Sequence, residues 1–157
     1  MPQLKPGDTF PDLTVDIAGD APINLPAKLA GNFAVVLFYR GSWCPYCNAQ
    51  LNAFQRAHES LERAGIKVVA LSVDDEATTK ELINKHRLGF PVGHSADAAA
   101  IAAATGAFTN DDPKYLQSTG FVLDPTGTVL VSVYSSGAIG RLVPADVVGM
   151  VEYVKAK

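Results

Sequence analysis

Cysteine is scarce in this sequence: two among 157 residues. Two thiols cannot staple a disulfide scaffold, and in a chain of this size they read as redox or metal groups. Histidine is scarce as well, with three residues. His58, His86 and His94 are scattered, so no second closely spaced ligand pair completes a zinc site around the cysteines. Positive charge is not in excess. The net charge of −3 and a pI near 5.5 leave no basic face for nucleic acid or an anionic membrane. The start, Met1-Pro2-Gln3-Leu4-Lys5-Pro6-Gly7-Asp8, carries no apolar signal core, and no later apolar run approaches the length of a membrane span. A soluble, cytoplasmic protein is expected. Phosphate loops, serine-hydrolase elbows, dinucleotide fingerprints, repeats and low-complexity tracts are all missing.

What is present suits one domain, residues 1–157. Hydrophobic residues make up 48% of the chain, which argues against disorder. A chain of this length buries roughly 68–70% of its unfolded surface. Residues 1–30 are rich in Pro, Gly and Asp and read as an N-terminal hairpin or extended segment. Phe33 to Tyr39 is an apolar, β-branched and aromatic run, hence a strand buried on both faces. A helix follows from near Cys47 to about Ala64, with Leu51, Phe54, Ala57 (or His58) and Leu61 on one stripe and Gly65 as its stop. His58 on or beside that stripe reads as a satisfied core histidine.

Ile66 to Val73 is a second buried strand. Asp74 and Asp75 start a helix through roughly Arg87. A short strand over Phe90-Pro91-Val92, an Ala-rich helix from Ala98 to Ala104 closed by Gly106, and a polar loop over 107–118 come next. Gly120 to Asp124 and Thr128 to Tyr134 form a hairpin around Pro125-Thr126-Gly127. A last helix begins near Pro144. This order predicts an α/β fold: a central mixed sheet, parallel where crossovers join its strands, with the hairpin as antiparallel edge strands and helices on both faces.

The two cysteines stand three apart in Arg40-Gly41-Ser42-Trp43-Cys44-Pro45-Tyr46-Cys47, on the turn between a strand and a helix. That spacing on a helix keeps two Cα atoms within disulfide reach, about 4.4–6.8 Å. Pro45 suits the first helical turn. Cys44 is therefore expected at the helix's positive end and more exposed, with Cys47 one turn inside and more buried. A thiol of pKa about 8.5 is about 3% thiolate at pH 7, whereas one lowered to roughly 6 is about 90%, a gain of about thirtyfold. Cys44 is the expected attacking group, on a peroxide oxygen or a disulfide sulfur, and Cys47 the resolving one. Arg40 can pair with the thiolate or the peroxide; a surface arginine tied to loop carbonyls is an equal alternative. Trp43 and Tyr46 are expected to wall the site. Ser42 can offer a hydroxyl to peroxide, although a turn role suits it better. Asp74 and Asp75 read as a helix start and not as metal ligands. No cofactor or metal is expected.

Gly7-Asp8-Thr9-Phe10-Pro11-Asp12-Leu13 is similar to the N-terminal signature of the peroxiredoxin family, the alkyl hydroperoxide reductase/thiol-specific antioxidant group. Val35 to Cys47 resembles its branch with an Arg-Gly-x-Trp-Cys-Pro-x-Cys loop. Val68 to Asp74 and Phe121 to Gly127 resemble the next two landmarks. The resemblance implies a thioredoxin-like fold. It also implies peroxidase activity through Cys44 and Cys47, with a hydroperoxide substrate and an external thiol reductant: thioredoxin, glutaredoxin or a low-molecular-weight thiol. A homodimer is among the assemblies it allows. Cys44-Pro45-Tyr46-Cys47 is also the glutaredoxin tetrad, a hint toward glutathione-like reductants. The chain departs from the family at three places. Leu37 and Gly41 stand where peroxidatic members carry Pro and Thr or Ser, and Ser118 stands at the family's second-site arginine. A general thiol–disulfide oxidoreductase and a non-catalytic redox sensor therefore stay open.

Overall fold

A computed structural model describes residues 2–157. The N-terminal hairpin pairs β1, Leu13–Ile17, with β2, Ile23–Leu25. A 3-10 turn, Ala27–Leu29, leads to β3, Phe33–Phe38, and then to α1, Pro45–Arg56. α2, His58–Arg63, and β4, Ile66–Leu71, follow. Next come α3, Glu76–His86, β5, Val92–His94, and α4, Ala98–Thr105. The small strands β6, Thr109–Asn110, and β7, Tyr115–Leu116, precede β8, Thr119–Leu123, β9, Val129–Tyr134, and α5, Pro144–Lys155.

The main sheet runs β2-β1-β5-β4-β3-β8-β9. β3, β4 and β5 are parallel neighbours, as expected where helices make the crossovers. β8 pairs antiparallel with both β3 and β9. Only β9 of that hairpin is therefore an edge; β8 is interior, which its fully buried Thr-Gly-Phe-Val-Leu run explains.

β3 positions the site because it is buried on both faces. Val35, Leu37 and Tyr39 point into one core with Leu51 and Phe54 of α1, Leu82 of α3 and Val147 and Val151 of α5. Ala34, Val36 and Phe38 point into the other, with Ile101 of α4, Leu25, Phe10 and Phe121. The alternation of one strand thus nails two layers together.

Three sequence expectations change. The long first helix is broken at Ala57 (φ −87°, ψ 9°) into α1 and α2. The break resets the helical phase, so His58 is on the surface with its Nε2 3.1 Å from Glu62, while Leu61 takes the buried position. The 107–118 loop contains the β6–β7 hairpin. Asp75, not Asp74, caps α3, its carboxylate accepting the Thr78 N–H. No helix among the described residues is long and apolar enough to cross a membrane.

Candidate active site

The cysteine turn forms because β3 ends and α1 begins within six residues. Cys44 is the N-cap of α1, with Pro45 in its first turn, where the missing N–H costs nothing. The capping atom is sulfur: Cys44 Sγ accepts the Cys47 N–H at 3.3 Å. The turn is tied from outside as well. Asp74, just past β4, accepts the Ser42 N–H at 2.8 Å, and Asn48 of α1 donates to the Ser42 carbonyl at 3.0 Å. Asp74 therefore serves the loop, and Ser42 serves it through its backbone.

Both cysteines are free thiols, and each is 0% exposed. Cys47 does lie deeper, but Cys44 is not the exposed thiol expected. Arginine and aromatic side chains close over it. Arg40 Nη1 lies 3.7 Å from Cys44 Sγ. Its Nε donates to Gln117 Oε1 at 3.0 Å and its Nη2 to the Tyr115 hydroxyl at 3.1 Å. The guanidinium also faces the rings of Trp43 and Tyr115, 4.9 and 5.3 Å from their centroids, and those rings meet edge to face at 5.0 Å. Arg40 is thus held in one orientation on all sides, a geometry that lysine cannot copy. Trp43 forms part of the wall while staying 55% exposed; Tyr46, on the outer side of α1, is 54% exposed.

The position of Gly41 is explained by Trp43. A Cβ at residue 41 would lie 2.2 Å from the indole Nε1. The space that a Thr or Ser side chain would fill holds the tryptophan ring instead.

A second arginine also reaches the site. Arg141, in the segment between β9 and α5, places Nη2 3.1 Å from Cys47 Sγ and 3.7 Å from Cys44 Sγ. Sequence reasoning missed it, together with Tyr115, Gln117 and Gln50. One signal was available: Arg141 is the only charged residue between Asp124 and Asp146. Ser118 is buried and gives its carbonyl to the Ser135 N–H at 2.9 Å, a backbone role.

The two thiols are pushed in opposite directions. Burial raises the Cys44 thiol, but hydrogen bonds from the Cys47 side chain and N–H and from Arg40, with the Arg141 charge, outweigh it, and its pKa falls below the ordinary value. Burial raises the Cys47 thiol too, the neighbouring Cys44 adds to this, and the Arg40 N–H and Arg141 do not fully offset it. Beneath them Tyr39, buried in the core, is pushed up to about 12, first by burial. The arrangement favours negative charge on Cys44 over Cys47, beside two cations.

A buried dithiol at a helix start, with arginine beside the Cys44 sulfur, frames the comparison with known proteins. Residues 6–132 match the family model described as AhpC/TSA family. The chain belongs to that family. As a member it is an enzyme of the thiol-peroxidase class. It is 30% identical over 145 residues to a peroxiredoxin of Treponema denticola, covering 90% of this chain and 68% of that one. It is 31% identical over 147 residues to a peroxiredoxin of Chlorobaculum tepidum, covering 90% and 67%. Among solved structures, the peroxidoxin BcpB of Mycobacterium tuberculosis superimposes with a TM-score of 0.83 at 19% identity, covering 97% of this chain and 99% of that one. The AhpC/TSA chain therefore has the thioredoxin-like fold of the peroxiredoxins, as its motifs implied.

Proposed function

We propose that this chain, acting as one domain, reduces hydroperoxides through Cys44 and closes a Cys44–Cys47 disulfide that an external thiol reopens. The observation that carries this reading is the environment of Cys44 Sγ, which accepts the Cys47 N–H at 3.3 Å and has Arg40 and Arg141 nitrogens each at 3.7 Å. These donors favour the thiolate and stand where charge develops on the peroxide oxygens. The Cys44 thiolate attacks the terminal oxygen of ROOH, the O–O bond breaks, and RO⁻ leaves to take up a proton. Cys44 becomes a sulfenic acid. Cys47 sulfur then displaces its oxygen as hydroxide and forms the disulfide. A thioredoxin, glutaredoxin or low-molecular-weight thiol restores both thiols by exchange. Because both cysteines are buried, the peroxide enters as a covering side chain moves. Trp43, the most exposed of those covers, is our candidate.

The test is the rate. Lowering a thiol's pKa gives only the thirtyfold gain above; preorganised donors are needed for more. We expect a rate constant with hydrogen peroxide or an organic hydroperoxide at least about a hundredfold above a free thiolate, equivalent to roughly 2.7 kcal/mol. Stopped-flow emission of Trp43, the chain's only tryptophan, reports it.

One observation favours a second reading. Gly41 supplies no hydroxyl, and its Cβ space belongs to Trp43, so a general thiol–disulfide oxidoreductase remains the rival. A peroxide rate equal to that of a free thiolate, with ready reduction of insulin or a mixed disulfide, would select the rival. Stoichiometric oxidation without turnover in the presence of reductant would select a redox sensor.

A further inference from the structure

We infer that Arg141 is the residue that activates the resolving thiol: it serves the disulfide-closing step more than the peroxide step, by taking over the Cys47 thiolate once Cys44 has been oxidised. This rests on the reading of Cys44 as the attacking thiol.

The geometry is asymmetric. Arg141 Nη2 is 3.1 Å from Cys47 Sγ and 3.7 Å from Cys44 Sγ, while Arg40 offers its guanidinium to Cys44 and only its backbone N–H, at 3.3 Å, to Cys47. The two arginines thus share Cys44, while the guanidinium on Cys47 is that of Arg141. Arg141 is also built in place. Its Nε donates to the Ala138 carbonyl at 2.8 Å and its Nη1 to Gln50 Oε1 at 2.9 Å. Gln50 lies on α1 one turn beyond Cys47, is buried, and uses its amide to donate to the Leu142 carbonyl at 3.0 Å. One glutamine therefore holds the arginine and its backbone against the helix that carries Cys47. Leu142 in turn seats on Gly120 of β8, where any Cβ would come within 2.7 Å of its Cδ1.

In the reduced protein the two sulfurs are coupled: the Cys44 thiol is pushed below the ordinary value, and negative charge on Cys44 opposes ionisation of Cys47. Other groups near Cys47 are Tyr39, just past β3 and neutral at ordinary pH, and, beyond it, the half-buried carboxylate of Asp74. When Cys44 attacks a hydroperoxide, its charge departs with the leaving alkoxide or hydroxide and the sulfur becomes a neutral sulfenic acid. The repulsion on Cys47 vanishes while Arg141 stays at 3.1 Å. Cys47 then loses its proton to water, its sulfur attacks Cys44 sulfur, the S–O bond breaks, and the hydroxide released takes up a proton. Oxidation of one thiol thereby switches on the other. In reverse, when an external thiolate attacks Cys44 of the disulfide, Cys47 leaves as a thiolate against the same arginine.

The test separates the two steps. Sulfenic acid formation is measured with hydrogen peroxide in Cys47→Ser, with and without Arg141→Met, by dimedone trapping at quenched times. Closure is measured in the dithiol protein, with and without Arg141→Met, as the second phase of Trp43 emission and by loss of free thiol. A contact charge on a thiol is worth about a pKa unit or more, hence about tenfold in thiolate. Arg141→Met is expected to slow closure at least about tenfold, to move its pH profile upward, and to slow sulfenic acid formation by a clearly smaller factor, because Arg40 stays on Cys44. Gln50→Leu keeps the charge and releases one of its tethers; it is expected to slow closure by a smaller factor in the same direction, with Arg141→Lys between Met and wild type. If both steps slow equally, or closure is unchanged in Arg141→Met and Gln50→Leu alike, the inference is overturned while the Cys44 reading stands. If no sulfenic acid forms at Cys44 in Cys47→Ser, both fail together.

Discussion

Restoring the family's hydroxyl at residue 41 should damage this enzyme. Peroxidatic relatives resemble one another in carrying Thr or Ser three residues before the attacking cysteine, so Gly41→Thr looks like a repair. The structure gives the opposite expectation. A Cβ at residue 41 meets the Trp43 pyrrole ring at 2.2, 2.8 and 2.9 Å, closer than any relaxed contact, so the indole must leave. It then forfeits its edge contact with Tyr115, worth about 0.5–1.5 kcal/mol, and its place over Arg40, worth about 0.5–1 kcal/mol at a half-exposed site. Together these are about 1–2.5 kcal/mol, or roughly five- to seventyfold in the population that keeps the cage closed. Tyr115 and Gln117 still hold Arg40 by two hydrogen bonds, so the loss should fall nearer the lower bound.

The assay is peroxide-dependent thiol loss, followed alongside Trp43 emission in the reduced state. Gly41→Thr should react at least about fivefold more slowly, with a red-shifted emission as the indole enters water. Trp43→Ala removes the obstacle, so Gly41→Thr added to Trp43→Ala should cost nothing more, a non-additivity diagnostic of contact. Gly41→Thr reacting as fast as wild type with unchanged emission would refute the reasoning, because it would show that the loop has room for the side chain.

Cys47→Ser should leave a dimedone-reactive sulfenic acid at Cys44, seen by mass spectrometry, whereas Cys44→Ser should leave Cys47 unlabelled at neutral pH. Arg40→Met should move the Cys44 titration, followed by thiolate absorbance near 240 nm, up toward that of an ordinary thiol, because a cation is lost from the thiolate. For pH dependence the sign follows from the depressed Cys44 pKa: the peroxide rate should rise with pH through the folded pKa and level off at lower pH than for an ordinary thiol, while Cys47, shifted upward, should alkylate only at higher pH. Phe121→Ala should cost about 3–5 kcal/mol in urea unfolding, since its ring is fully buried at 5.1, 5.5 and 5.6 Å from those of Phe10, Phe38 and Tyr134.

The parts of this fold that were legible in the sequence are those written in local pattern. β3 is readable because a strand covered on both faces must be apolar at every position, and α1 because a proline and a stripe of leucine and phenylalanine follow a turn. The failures share a cause. The break at Ala57 carries no Gly or Pro; it shows only in His58 falling on the wrong side of the stripe. β6 and β7 are two residues each, too short for an alternation to register, so 107–118 reads as loop. Yet that hairpin delivers Tyr115, and the next residues Gln117, which orient Arg40 from 75 and 77 positions away. Asp74 reads as a cap because capping is local, and its actual partner, Ser42, is 32 residues off.

Arg141 shows why a motif can be read correctly and the site still be incomplete. The Cys44-to-Cys47 turn is specified by four consecutive residues, so its chemistry is visible in one line of sequence. The cations that serve it need only reach the sulfurs, and any segment passing the end of α1 can supply them. Ser118 stands at the family's arginine position and is spent on a backbone contact, while the charge arrives from 94 residues beyond Cys47. The guanidinium's requirements are electrostatic and not positional: one nitrogen within reach of both sulfurs, and enough remaining partners to hold it still. The Ala138 carbonyl and Gln50, itself tied to the Leu142 carbonyl, meet the second requirement here. Donors to a dithiol can therefore come from any element that passes it. Arriving from the α5 side, the second arginine lies nearer Cys47 than Cys44, which is what suits it to the closing step proposed above.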